Sequence, residues 1–468
     1  MTINLKELAI KLLLVFLTST SIYAVSGNQQ LDKELLTIIN KNGLTGTPTS
    51  DHDIPSINSP KAQLGMKLFY SKTLGGDNTT ACASCHHPML GGGDNLSLSV
   101  GVDSKNPDVM GVHRQLKENG QTRVPRNAPT TFNVTFWKRV MFHDARIEKF
   151  ANKGITTPDL PYPNIDSLAG ESLVQAQARF PITSSDEMRS SYMDQSFNQT
   201  LRRALASRLQ KNWLNEFRKG FSYPEGSAED LITEQNFSEA IAEYERSQVF
   251  INTPWKAYVE GDKLALTDSA KKGALLFYKS QKEGGAGCAQ CHSGDFFTDE
   301  NAYNTAMPQI GAGKESGLTG TNDYGCNLVT KKESDKFRFR TPTLLNVEVT
   351  GPWGHDGAYT SLEGITRHML SPTKSAKNYD AKQLTQKNIR LTDLKQNTQE
   401  AIDAGIHLSE KPNMSEKDVT HLVSFLKSLT DPCVKDRACL SKWIPDSKDN
   451  DPDGQTLHAL NGETGNLL

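Results

Sequence analysis

Apolar residues recur at helical spacing in several stretches, and those stretches frame the chain. Between Ser415 and Leu429, the residues Val419, Leu422, Val423, Leu426 and Leu429 fall on one helical face. Ser415 suits the N-cap, Asp418 lies in the first turn, and Asp431-Pro432 ends the pattern. Two shorter amphipathic segments are versions of one pattern: Gly65-Met66-Lys67-Leu68-Phe69-Tyr70 and Gly273-Ala274-Leu275-Leu276-Phe277-Tyr278. A further helical stretch is expected from Phe237 to Phe250, with Thr253-Pro254 starting a new element. Residues 152–172, carrying Pro158, Pro161 and Pro163, read as a long loop. Residues 441–468 are polar, rich in Asp, Gly and Asn, and read as a loose tail. The predicted fold is mainly α, with long loops.

The first residues form a pattern of their own. Lys6 and Lys11 precede the apolar run Leu12 to Leu17, and Ser21-Ile22-Tyr23-Ala24 closes the stretch. This is the layout of a signal peptide cleaved after Ala24, the alternative being an uncleaved anchor. The run is short for a spanning helix, and no Cys follows the expected cleavage site to carry a lipid. Export to the periplasm is the expectation.

Composition narrows the picture only a little. A chain of 468 residues has room for two or three domains. The expected division is a signal peptide (1–24), an N-terminal domain (25–252), a C-terminal domain (253–432) and a polar tail (433–468). A net charge of −2 provides no electrostatic footprint for nucleic acid.

The seven Cys change the picture more. Four of them lie in Cys82-Ala83-Ser84-Cys85-His86 and Cys288-Ala289-Gln290-Cys291-His292. Cys-x-x-Cys-His is the attachment pattern for a c-type haem: two thiols bond the porphyrin edge and the His ligates iron. Each copy follows one of the paired amphipathic segments through a Gly-rich stretch. The repeat predicts two cytochrome c-like domains, each around its own covalent haem c, with the 415–429 helix closing the second. An exported chain permits a Cys433–Cys439 disulfide, which leaves Cys326 alone.

The blocks between and beyond the motifs resemble those of the bacterial diheme cytochrome c peroxidases, a superfamily that includes the MauG-type enzymes. They are Arg126-Asn127-Ala128-Pro129-Thr130, Phe142-His143-Asp144-Ala145-Arg146, Gln177 to Glu187, Phe339-Arg340-Thr341-Pro342 and Gly354-His355-Asp356-Gly357. The resemblance spans roughly residues 60–430. It implies an oxidoreductase that reduces hydrogen peroxide at the N-terminal haem, with Glu187, Gln177 and Pro181 on the open side. A carboxylate over the iron suits that task, because cleaving the O–O bond moves a proton from one oxygen to the other.

The resemblance also implies the ligands. Many family members carry a second His sixteen residues after the haem-binding one; here that position is Val102, which cannot coordinate iron. The haem on His86 is therefore expected to be five-coordinate when oxidised. His87 is badly placed to replace that ligand, and His113 is the nearby substitute. At the second haem, Met369 occupies the distal position, with His368 as its rival. Calcium is implied between the domains, on Asn127, Thr350 and Pro352, whose oxygen donors suit a hard cation. The alternative for Asn127 is a turn-capping residue. One departure concerns the route between haems: His143 stands where the family usually has Trp, and Trp137 and Trp353 are the candidates to replace it.

The function expected is therefore a diheme peroxidase fed by a small electron-donor protein, a cytochrome c or a cupredoxin, through the C-terminal haem. Two alternatives stand beside it. One is a MauG-like enzyme oxidising Trp or Tyr of a partner protein; the other is a diheme electron carrier without catalysis. Family members often dimerise, so a homodimer is among the expectations.

Overall fold

The computed structural model describes residues 29–117, 120–151, 153–411, 414–446, 449 and 451–468. The expected signal peptide lies outside them. Among the described residues helices dominate; the strands are two to four residues long and form two two-stranded sheets and one of three strands. Among the described residues no helix is long and apolar enough to cross a membrane.

The apolar repeat folds twice in the same way. The Pro60–Tyr70 helix, capped by Ser59, crosses the Glu234–Arg246 helix; the Asp268–Tyr278 helix, capped by Thr267, crosses the Glu416–Lys427 helix. Each crossing is made close by one glycine. A Cβ on Gly65 would lie 1.9 Å from the Ala240 carbonyl oxygen and 2.9 Å from Tyr244 Cβ. A Cβ on Gly273 would lie 1.9 Å from the His421 carbonyl oxygen and 2.8 Å from Phe425 Cβ. Backbone cannot move aside as a flexible side chain can, so both positions exclude any side chain. The closing helix at Glu416–Lys427 carries the expected cap, in which Ser415 and Asp418 serve each other reciprocally.

The Glu234–Arg246 helix is the corresponding partner in the first half. It stops short of the expected Phe250 because the backbone beyond it bonds elsewhere. Phe250 N–H donates to Asn133 Oδ1 at 2.7 Å, and Asn133 N–H donates to the Gln248 carbonyl at 2.8 Å. The 152–172 stretch is also not all loop. Gly154–Thr156 pairs with Ile147–Phe150, and the buried Asp166 ties down the later part of the stretch by accepting from Arg179 and Thr157.

Two large apolar clusters result, one from residues 57–244 and one mostly from 255–429. The chain ends cross between them. Leu35, Ile39 and Leu44 join the second cluster, where Asp32 pairs with Lys271. The tail does the reverse and is not loose. Leu457 and Ala459 join the first cluster, Leu460 pairs in parallel with Val109, and Trp443 packs on Phe250. Tyr70 and Tyr244 hydroxyls both donate to the Trp443 carbonyl, and Asp453 accepts from the Trp213 indole N–H. Few apolar residues suffice here because buried hydrogen bonds and a Cys433–Cys439 disulfide fix the segment.

Candidate active site

A cavity in the first half brings the sequence-predicted groups together. Cys82, Cys85 and His86 line it, as do Gln177, Pro181 and Glu187, together with His143 and Asn127. The Cys82–Ser84 turn presents the two thiols, and neither is in a disulfide. His86 Nδ1 lies 3.1 Å from the Gly92 carbonyl oxygen, to which its N–H donates. That bond fixes the tautomer and leaves the Nε2 lone pair free to ligate a metal. His292 repeats the arrangement, with Nδ1 3.0 Å from the Phe297 carbonyl oxygen. Cys288 and Cys291 stand beside it in the Cys288–Gln290 turn, also outside any disulfide. Paired free thiols with an oriented imidazole fit a haem at both places. Arg126, Arg146 and Lys314 on the first cavity wall are cations that suit haem carboxylates.

Glu187 sits in a single wide turn, Ser185–Arg189, where the Ser184 carbonyl accepts from both Met188 and Arg189. Its carboxylate has no hydrogen bond or ion pair to another described residue. Burial raises its pKa, while Arg146 and Lys314 pull it down and Asp186 adds to the rise. A carboxyl in such surroundings takes and returns a proton more readily than a solvated one. Gln177 comes from the Leu173–Ala178 helix, and Pro181 opens the next turn.

The segment bearing Val102 lies against the backbone of Glu187. Val102 N–H donates to the Asp186 carbonyl at 3.3 Å, and a Cβ on Gly101 would sit 2.1 Å from that same oxygen. Val102 is buried but does not line the cavity. Neither substitute histidine reaches the site. His113 is exposed and packs on Gly462, and His87 is buried against Tyr70 with Nδ1 accepting from Met89 N–H.

At the second site the geometry separates the two rivals on the Leu362–Leu370 helix. His368 has both ring nitrogens engaged: Nε2–H donates to the Thr305 carbonyl at 2.9 Å, and Nδ1 accepts from the Tyr359 hydroxyl at 2.8 Å. Met369 is half-buried, with no such commitment. Asn127 donates its side-chain amide to the Leu96 and Ser97 carbonyls, which leaves Oδ1 as its free oxygen. Its backbone N–H donates to the His355 carbonyl, just past Thr350 and Pro352. Among the described residues no group of three or more His, Cys, Asp or Glu forms a metal cluster.

Some partnerships at the site leave no mark in the sequence pattern. Arg126 pairs with Asp144 at 2.6 Å and with Asp323 at 2.7 Å, all three buried, and so ties the two halves beside the cavity. Glu245 also lines the cavity, and burial alone pushes its pKa up to about 8. Phe142 and Ala145 flank His143 and Asp144 in left-handed backbone, φ +66° and +55°, a conformation unfavourable for side chains with a Cβ. The strain is set by surroundings that hold His143 in place.

Comparison with known proteins agrees with this geometry. Residues 59–264 match the family model of the di-haem cytochrome c peroxidases. Cytochrome c551 peroxidase of Pseudomonas aeruginosa is 30% identical over 309 residues, covering 66% of this chain and 70% of that protein. Methylamine utilization protein MauG of Methylorubrum extorquens is 29% identical over 314 residues, 66% of this chain and 68% of that protein. The fold is shared with the crystal structure of a MauG-like protein associated with microbial copper homeostasis. That likeness has a TM-score of 0.57 at 21% identity, covering 85% of this chain and 96% of the other. Paired thiols with an oriented histidine in each half, and these matches, place the chain in the MauG-type di-haem cytochrome c peroxidase superfamily.

Proposed function

We propose that this protein reduces hydrogen peroxide to water at a haem held by Cys82, Cys85 and His86. Electrons enter from a small cytochrome c or cupredoxin through a second haem held by Cys288, Cys291, His292 and Met369. The haem would supply the site where peroxide binds and pass on the donor's electrons; the protein supplies the proton traffic. Glu187 would take the proton from one peroxide oxygen and return it to the other. Gln177 and Pro181 shape the space in which it does so. The observation that carries this reading is the Glu187 carboxylate, without a partner among the described residues, on the wall of the cavity that also holds His86.

The reading extends to the surroundings. The Cys433–Cys439 disulfide suits an oxidising compartment, which supports export to the periplasm. A calcium ion on Asn127 Oδ1 and the carbonyls of Thr350 and Pro352 would tie the two halves at this seam. Steady-state assay with reduced cytochrome c and peroxide tests the function: sustained turnover at tens per second or more is expected, on the order of ordinary enzymes.

A specific observation favours a second reading, oxidation of Trp or Tyr on a partner protein. Val102 stands where many members of the family carry a second histidine, and His143 stands where they usually carry Trp. In the same assay that reading predicts very slow turnover and a long-lived oxidised state after peroxide.

Met369 offers a separate check. Thioether ligation raises a haem potential, so Met369→Leu is expected to lower the midpoint of one haem and convert it to high spin. The other haem should keep its spectrum. Redox titration with optical detection measures both.

A further inference from the structure

Arg114 is only 2% exposed, and its side chain bonds to backbone alone. Its guanidinium donates to four carbonyls: Nε–H to Val100 at 2.6 Å, Nη2–H to Gly101 at 3.2 Å, and Nη1–H to Pro107 at 2.7 Å and Val109 at 3.3 Å. Asp108, between the last two, pairs with Lys72 instead. Burying a cation without a carboxylate is unfavourable, and several converging carbonyl dipoles offset it. The result is a fastening: the 100–101 segment is held to the 107–109 segment. The far end is itself anchored, because Val109 pairs with Leu460, whose N–H donates to the Asp108 carbonyl at 2.7 Å.

The fastened segment carries the contact to Glu187. Ser99, at its start, lines the cavity, and its carbonyl accepts from the Thr122 hydroxyl at 2.7 Å. Gly101 packs on the Glu187 turn: a Cβ there would lie 2.1 Å from the Asp186 carbonyl oxygen and 2.8 Å from Glu187 Cα. Val102 N–H donates to that same carbonyl. On its other side the turn meets Gly76, whose N–H donates to the Met188 carbonyl at 2.8 Å. Backbone contacts from two segments therefore seat the turn, while the Glu187 carboxylate is left without a partner among the described residues.

We infer that Arg114 is the positioning residue for Glu187. It fixes the Val100–Val102 segment, and that segment fixes the Ser185–Arg189 turn, so the carboxylate keeps its place on the cavity wall. Val102 cannot hold its segment through iron; the guanidinium holds it instead. Arg114 does not line the cavity and acts only through these neighbours. The inference deepens the proposed peroxidase reading and rests on it for the chemistry. A surface pair is the rival fastening. Arg123 reaches Asp103, beside Val102, at 3.2 Å and Asp186, beside Glu187, at 3.3 Å. Its side chain is 63% exposed, and exposed pairs contribute little.

The test uses the holoenzyme. Arg114→Lys keeps the charge, but its donors share one nitrogen and cannot span four carbonyls. Amide hydrogen exchange in peptides covering residues 99–103 and 185–189 should speed up, with both haem spectra retained. Peroxide should react up to about a hundredfold more slowly, the scale of a small misplacement of a reacting group. In a Glu187→Gln background the same change should cost little more, because no carboxylate is left to place. Gly101→Ala wedges the segment from the turn without touching Arg114. It should show the same faster exchange and slower reaction, and it decides the matter if Arg114→Lys does not take up haem. Arg123→Gln should show neither effect. Unchanged exchange at 185–189 in Arg114→Lys, a loss of rate undiminished by Glu187→Gln, an inert Gly101→Ala, or an Arg123→Gln as impaired as Arg114→Lys would each overturn the inference. A wild type that does not turn over peroxide would sink the proposed function alone, since exchange at 185–189 still decides the positioning.

Discussion

Replacing Glu187 by Gln should reduce the rate of reaction with peroxide by roughly a hundredfold to ten-thousandfold, the usual span for a positioned acid–base group. Gln has nearly the same shape, so the cavity is kept while the carboxylate is lost. Both haem spectra should persist, because Glu187 takes part in neither histidine arrangement. Stopped-flow mixing with peroxide measures the first step directly. A fall of less than about tenfold would remove Glu187 from the chemistry and favour a plain electron carrier. The wild-type rate should also decline as the medium is acidified through the Glu187 pKa. That value is raised by burial, so the decline sets in above the ordinary carboxylate range.

The largest stability effect is expected at Arg126. Its guanidinium serves Asp144 and Asp323, all three side chains being under a tenth exposed. Arg126→Met would leave Asp144 with Arg146, but Asp323 with only the Gly325 N–H. Breaking one partner out of a buried ionic group costs about 3–5 kcal/mol. Adding Asp144→Asn and Asp323→Asn should recover most of the loss, because the cost lies in the unpaired charges. The pH dependence is set by the direction of the shifts. Arg126 depresses both Asp pKa values in the folded protein. The pairing therefore stabilises above the unfolded carboxylate pKa of about 3.9 and is lost as pH falls through the folded values. In Arg126→Met the Asp323 pKa rises instead, so its penalty fades on acidification. The gap between wild type and variant in urea midpoint should narrow as pH is lowered; a constant gap would contradict the assignment.

How far the sequence reaches depends on whether a feature is local. The two Cys-x-x-Cys-His motifs, the Ser415 cap and the paired Gly65 and Gly273 patterns are local, and each appears where its residues predict. The Glu234–Arg246 helix is visible as a helix, but its role as the mate of Gly65 is not. A contact between Gly65 and Ala240 leaves no trace in spacing. The tail reads as loose because its composition is polar, while Trp443, Leu457 and Asp453 are anchored by partners far away in the chain. The choice between Met369 and His368 turns on the Thr305 carbonyl and the Tyr359 hydroxyl, and only the fold brings those to His368. Likewise His143 reads as a missing Trp, and its two hydrogen bonds become legible only once Asn127 and Arg340 stand beside it.

The two haem sites should differ: the one on His86 open for reaction and the one on His292 closed by Met369. Electron paramagnetic resonance and near-infrared spectra of the fully oxidised protein test this central claim most directly. One high-spin haem, present without prior reduction, and one low-spin haem with histidine–methionine ligation are predicted. Two low-spin haems with no high-spin signal would contradict it.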